Sequence, residues 1–381
     1  MSTDPKPKWY APYIPWLIRL VIAVVSAFGT YLAIPPAVIE VIKEVPVPVA
    51  QADPVPAPAP DDARFATGWV DDPGAVAAVA ATLPHPVFAR TPAGAADTVP
   101  DRAYLWDAAK AALGRHVPAR DQGGVGSCVS FGAACAVEYS ECVAVVAARA
   151  AGHQVPAFQD IAQEVIYGGS RVQIGGGRIR GDGSVGAWAA QWCQRYGSVP
   201  RGRYDGYDLT RYSESTCRSF GNGGCPAALV PVAKRAPTQS ISQVKTADEA
   251  RKALAAGYPV TVASDVGFGT RGPYVRNAKG QLRASGSWAH QMCLIGFDKA
   301  SGFYCMNSWG PAWVSGPTGP GDPPPGGFWI DEPTVARMLG QGDSWAFGDQ
   351  VGFPGRALDW FVNRTPPRRT REPLERFALA P

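Results

Sequence analysis

From Leu20 to Ile39 the chain runs for 20 residues without a charge, LVIAVVSAFGTYLAIPPAVI. A membrane-spanning helix needs ~20 apolar residues, because the hydrocarbon core is about 30 Å thick and each residue rises about 1.5 Å. Pro35 and Pro36 stop a helix, which places the span at residues 14–34. Tyr13, Trp16 and Tyr31 fall at interfacial depth, and Lys6, Lys8 and Arg19 hold residues 1–13 in the cytoplasm. Two other readings fit less well. A cleaved signal peptide has a shorter apolar core, ~7–15 residues, and a helix apolar all round seldom opens a soluble chain. An uncleaved anchor, with the bulk of the protein outside the cytoplasm, is therefore expected. The stretch EVPVPVAQADPVPAPAPDD alternates proline with small residues and stays extended as a spacer. Residues 35–100 are assigned to spacer and linker.

The remainder is long enough for a large core. The chain has 381 residues, 36 Lys+Arg against 32 Asp+Glu, and a net charge of +4, too small to call for a nucleic-acid partner. With four His and no C-x-x-C pair, a zinc ribbon is a poor fit, and no metal or other cofactor is expected.

The stretch VPARDQGGVGSCVSFGAACAVEYSECV, residues 117–143, carries the first chemical signal. Gly123, Gly124 and Gly126 make a loop, Ser127 is a good N-cap, and an Ala-rich apolar run follows. Cys128 thus opens a helix, where aligned peptide dipoles and free N–H groups favour an anion and lower the thiol pKa. Cys135 and Cys142 follow at seven-residue spacing on the same face and read as core thiols.

A thiolate nucleophile wants a histidine to take and return its proton. GSWAHQMCLIGFDKASGFYCMNSWGPAW, residues 286–313, supplies one. HQMCLIGF and GFYCMNSW read as two strands joined by a turn at Asp298–Gly302, bringing His290 near Asn307. An Asn amide accepts from one ring N–H and fixes the tautomer, with Trp309 and Trp313 shielding the bond.

At these residues the chain resembles the papain-like cysteine peptidases: Gln122, Gly126, Ser127, Cys128, then His290, then Asn307, Ser308, Trp309, Gly310, in that order. The resemblance covers about residues 103–340. It implies an α+β fold of two lobes, a helical one with a central helix and an antiparallel, barrel-like β one, over residues 101–355. It makes Cys128 the nucleophile, His290 the acid/base, Asn307 its orienting partner, and Gln122 with the Cys128 N–H the oxyanion hole. Asp182, Gly183 and Ser184 fall where the family binds substrate backbone, and Ala263 and Trp309 fall beside the substrate. ADEARKALAAGYPVTVASDV, with a capping box from Thr246 to Glu249, resembles the helix and strand that open the β lobe.

Some features depart from the family. Val129 replaces the usual aromatic, Val125 replaces a disulfide cysteine, and 162 positions separate Cys128 from His290, against the usual ~130–150. VSGPTGPGDPPPGG is an insertion, and residues 61–100 are short for an inhibitory propeptide, leaving them as linker or as a segment that covers the cleft. Cys217 and Cys225, eight apart in what reads as a Gly-rich loop, CRSFGNGGC, are the best disulfide candidates, Cys293 and Cys305 are expected unbridged, and residues 356–381 form a basic solvated tail.

The leading expectation is a bacterial, membrane-anchored thiol endopeptidase whose partner is a peptide or protein substrate. The alternatives are an amidase or transpeptidase acting on cell-wall peptides, and a non-catalytic binding module on the same fold.

Overall fold

The structure, a computed structural model, describes residues 65–155 and 157–350. The expected anchor at 14–34, its membrane contact, most of the spacer and the basic tail lie outside the described residues.

Helices dominate the first half. α1 (Pro73–Ala80) starts with proline at its first position, and Asp72 caps it by accepting the Ala75 N–H at 2.9 Å. A short strand β1 (Arg102–Tyr104) runs straight into α2 (Leu105–Leu113), which Gly114 ends in the left-handed conformation. α3 (Cys128–Ala150) is the long helix expected after the glycine loop. Small residues Gly132, Ala133, Ala134 and Ala136 let neighbours approach on every side: α2, α4 (Gln163–Gly168), α5 (Gly186–Arg195) and the main sheet all pack on it. Among the described residues it is the one helix long and apolar enough to cross a membrane, and it is mostly buried inside the protein instead. A two-stranded ribbon, β2 (Arg203–Tyr204) and β3 (Tyr207–Asp208), precedes α6 (Glu214–Gly223) and the short α7 (Val230–Ala233).

The second half supplies most of the sheet. β4 (Thr238–Gln243) leads to α8 (Ala247–Ala255), whose start is capped as expected: Thr246 accepts the Glu249 N–H at 3.1 Å. The Glu249 carboxylate returns to the Lys245 N–H, one residue before the cap, rather than to Thr246. Then come β5 (Val260–Val266), the short β6 (Tyr274–Val275), β7 (Ser287–Asp298), β8 (Gly302–Met306), the short β9 (Val314–Ser315), β10 (Gly327–Ile330), α9 (Glu332–Leu339) and β11 (Asp343–Gln350). The main sheet is antiparallel, in the order β10-β8-β7-β5-β11-β4, with β1 also on β7. Helix and sheet content fits the α+β expectation.

The β7–β8 hairpin turns between Asp298 and Gly302 as its sequence suggests. Its register pairs Cys293 with Met306 and Leu294 with Cys305, so the two cysteines face opposite ways and both are free. Cys217 and Cys225 are also free, against expectation. CRSFGNGGC is not a loop: the helix α6 continues through Gly223, and only Gly224, at φ +89°, breaks it. Cys217 therefore packs with Val125 and Tyr167, while Cys225 joins the main core.

Residues 65–100 are packed rather than free linker. Val76, Val79, Leu83 and Phe88 are buried in the main core, and Gln243 at the end of β4 bonds back to the Pro86 carbonyl at 2.9 Å. Upstream of α1 the chain runs along the face where α3 and β7 meet.

Candidate active site

The glycine loop delivers Cys128 as the first residue of α3, with Ser127 in the N-cap position but making no side-chain cap bond. The Cys128 Sγ is fully buried and accepts the Gln291 backbone N–H at 3.5 Å, which seats it beside β7 one residue from His290. His290 Nε2 lies 2.8 Å from Asn307 Oδ1, which also accepts the Ser308 N–H at 2.7 Å. Two contacts on Oδ1 identify it as the carbonyl oxygen. It can only accept, so Nε2 carries the hydrogen and Nδ1 keeps its lone pair. Nδ1 is buried and has no hydrogen-bond partner among the described residues. Trp309 lies over the imidazole at 4.9 Å between ring centres, Trp288 meets it edge-on at 6.3 Å, and Trp313 packs behind Trp309. The bond to Asn307 is thus dry.

Gln122 is held at both ends of its amide. Its Oε1 accepts the Ser308 hydroxyl, and its Nε2 donates to Val125 O at 2.8 Å and to Ala66 O at 2.9 Å. The second acceptor is the unexpected one. Residues 65–70, FATGWV, lie across the site. Ala66 O also takes the Trp309 indole N–H at 3.1 Å, and Phe65 lies against the Trp309 ring at 5.0 Å. Gly68 and Trp69 donate to Ala289 O at 3.0 and 2.9 Å, and the Gly68 N–H is also directed at Cys128 Sγ. Ser184 donates to Gly68 O at 2.8 Å and accepts from Val70 at 2.9 Å, a parallel bridge around Trp69. Gly68 has to be glycine here, since a Cβ would stand 2.0 Å from Gly126 O.

Of the three residues expected along the substrate backbone, Ser184 alone bonds to this segment. The Gly183 N–H goes to the Tyr167 hydroxyl at 2.9 Å and its carbonyl to the buried Arg171, which also holds Gly181 O at 2.6 Å. Gly183 contributes close approach instead, because a Cβ there would stand 3.0 Å from Gly68 O. Asp182, exposed and paired with Arg218 at 3.8 Å, accepts the Gly126 N–H at 3.1 Å, bracing the loop before Cys128. Ala263 is buried on β5, paired with Gln291 on one side and Asp343 on the other.

Asp343 is a site residue that no motif announces. Its carboxylate accepts the Trp69 indole N–H at 2.9 Å, the Trp345 indole N–H at 2.8 Å and the Gly186 N–H at the start of α5 at 2.7 Å. Burial pushes this carboxyl up from its ordinary range, and these donors pull it back. Gln291 was likewise silent in the sequence; its side chain donates to Val129 O at 2.9 Å and ties β7 to α3.

Burial also sets the protonation of Cys128 and His290. It drives the Cys128 thiol up to about 11, against the pull of several backbone N–H groups, and His290 down to about 4, against its bond to Asn307. Under cover of residues 65–70 the thiol is therefore protonated near pH 7 and the imidazole neutral, and desolvation outweighs the helix-terminus effect expected for Cys128. Taken together, the arrangement holds a buried thiol at a helix start, a histidine whose Nε2 meets Asn307, and an amide donor carrying a peptide carbonyl. Among the described residues no cluster of His, Cys, Asp or Glu suits a metal ion.

No family model and no curated protein sequence matches the chain. The solved structures to which it is similar include papain-like cysteine proteases. Xylellain, a cysteine protease from Xylella fastidiosa, is 17% identical over 76% of this chain and 92% of its own, with a TM-score of 0.47. Procathepsin B S9 from Trypanosoma congolense is 13% identical over 76% and 87%, at 0.46. The ragweed pollen cysteine protease Amb a 11, in its proform, is 17% identical over 68% of each chain, at 0.44. These likenesses are remote, and the chemistry rests on the residues of this chain.

Proposed function

We propose that the chain is a thiol endopeptidase working through a Cys128 acyl-enzyme, and that residues 65–70 keep it shut. The observation that carries this reading is the contact of His290 Nε2 with Asn307, which leaves Nδ1 unpartnered on the residue next to Gln291, whose N–H bonds Sγ of the helix-opening Cys128.

With the cleft open, Nδ1 takes the Cys128 proton and Sγ attacks a peptide carbonyl carbon. The oxyanion meets Gln122 Nε2 and the backbone N–H of Cys128, donors typically worth about 3–4 kcal/mol each in the transition state. The C–N bond breaks as Nδ1–H returns its proton to the departing amine. Water, deprotonated by the same nitrogen, then releases the thioester as an acid and restores the thiol. Asn307 holds the ring throughout, and Trp309 keeps water off that bond.

Residues 65–70 are a cover and not a substrate. The peptide group directed at Cys128 Sγ, through its hydrogen, is the one bearing the Gly68 N–H, while the carbonyl held by Gln122 belongs to Ala66, so no single peptide group is presented to both.

Gly68→Ala tests both parts, since its Cβ has no room beside Gly126 O. Displacing the cover should raise peptide hydrolysis and epoxide labelling of Cys128 roughly tenfold or more, as overpacking of this kind costs ~1–3 kcal/mol. Adding Cys128→Ala should abolish both. Hydrolysis undiminished in the double variant would sink the assignment, and labelling without hydrolysis would favour a binding module. The proposed setting, an anchor at 14–34 with the site outside a bacterial cytoplasm, is checked by protease access to the domain on intact cells.

A further inference from the structure

Gln122, the side-chain donor of the proposed oxyanion hole, opens a loop with little stiffness of its own. Residues 123–126, GGVG, hold three glycines, and Gly123 lies at φ +59°. Ser308 holds Gln122 on one side, its hydroxyl donating to Oε1 and its carbonyl accepting the Gln122 N–H at 2.8 Å. On the other side, the segment leading into α6 follows the loop residue by residue. The Tyr212 hydroxyl donates to the Gln122 carbonyl at 3.0 Å, and Arg218 Nη2 donates to the Gly124 carbonyl at 2.7 Å. Between them the Glu214 carboxylate covers Gly123, where a Cβ would stand 2.0 Å from Oε1, and Cys217 packs with Val125. Arg218 and Glu214 are 45% and 44% exposed and pair with each other at 3.3 Å, so water screens their grip. Tyr212 is half-buried, with its ring edge-on to Phe131 of α3 at 5.0 Å. Burial, and then the neighbouring Cys217 thiol, push its phenol up from the ordinary value, so the hydroxyl keeps its proton and remains a donor.

We infer that Tyr212 is a positioning residue of the oxyanion hole, fixing the Gln122 peptide so that Nε2 stays aimed at the developing oxyanion once the cover has left. The inference rests on the proposed peptidase reading. In the closed chain Nε2 is held by Ala66 O and Val125 O. Departure of the cover removes the first of these, and the second belongs to the glycine loop itself. What then holds Gln122 from outside the loop is Ser308 on one side and Tyr212 on the other. A donor stabilises the transition state in full only while it is preorganised, since turning it into place during the reaction costs part of what its bond returns. Tyr212 touches no substrate and acts through Gln122. Without its hydroxyl the Gln122 carbonyl is free to turn about Gly123, and the amide moves with it.

The test uses the full chain carrying Gly68→Ala, with and without Tyr212→Phe, which keeps the ring on Phe131 and drops the hydroxyl. Two reactions of Cys128 are compared. Peptide hydrolysis passes through an oxyanion, whereas in alkylation by iodoacetamide Sγ displaces iodide from a methylene carbon and no oxyanion forms. Tyr212→Phe should lower kcat roughly 10- to 100-fold and leave KM and the alkylation rate unchanged. Gln122→Ala alone should cost roughly 100- to 1,000-fold, and adding Tyr212→Phe to it should cost nothing more, because both changes act on one donor. An equal loss in hydrolysis and alkylation would mark a merely structural role and overturn the inference, as would the same further loss in the Gln122→Ala background. An active opened chain indifferent to Tyr212→Phe sinks the inference alone. An opened chain that is alkylated at Cys128 and cleaves no peptide sinks the peptidase reading, and the inference with it. In the chain without Gly68→Ala, amide hydrogen exchange over residues 122–126 should quicken with Tyr212→Phe, and unchanged exchange there also overturns the inference.

Discussion

His290 is a single side chain whose ionisation the fold opposes. Its folded value near 4 lies below the ordinary 6.5, so folding favours the neutral ring. That contribution is complete above pH about 6.5 and is lost as the pH falls through about 4, roughly 3 kcal/mol in all. Glu138, Glu141 and Asp343, whose carboxyls burial raises, act in the opposite sense, Glu141 being pushed up to about 8. The His290 share is therefore read as a difference. Between pH 7 and 4, thermal melts of the native chain should fall further than those of His290→Ala, and parallel curves would contradict the assignment. Cys128, His290, Asn307 and Gln122 were legible because each sits in a local pattern: a glycine loop, a strand, an Asn-Ser-Trp-Gly run. Asp343 and Gln291 were not. Their partners lie 274 and 162 positions away, at Trp69 and Val129, and no local spacing encodes such a meeting.

At the level of elements, the cover and α1 are separable. α1 is anchored by Val76 and Val79 in the core and by the Asp72 cap, whereas Asp71, Pro73 and Gly74 are exposed. Cutting the chain at a protease site placed between Asp71 and Asp72 should release residues before the cut while α1 stays docked. Cys128 labelling should then rise to the level of Gly68→Ala, and a cut chain that stays slow to label would show that the cover holds without its tether. The central helix, the β7–β8 hairpin and the Thr246 cap could all be read from pattern, because capping and alternation are local rules. The packing of residues 65–100 could not. Their composition left a linker and a segment over the cleft both open, and only long-range contacts to α5, β4 and Ala289 decide against a free linker. The helical form of residues 214–223 was missed for a related reason: tertiary burial of Cys217 and Phe220 overrides a glycine-rich composition.

For the molecule as a whole, the α+β class follows from a few motifs, while the order of the sheet does not, since β11 closes between β5 and β4 from the far end of the domain. What joins the two halves is equally non-local: Asp343 on the sheet grips α5, and Gln291 grips α3. The cover belongs to the same chain as the cleft, and only Asp71 and Asp72 separate Val70 from α1. A ligand tethered this closely is present at an effective concentration on the order of millimolar, however dilute the protein becomes. The fraction of open molecules should therefore be a constant of the chain, with Cys128 labelled at the same rate per molecule across a thousandfold dilution. A rate that climbs on dilution would mean that covers are exchanged between molecules. With intrachain closure, neither dilution into a large volume nor crowding at a surface should change the open fraction; a change to the chain, or a ligand that competes for the groove, should.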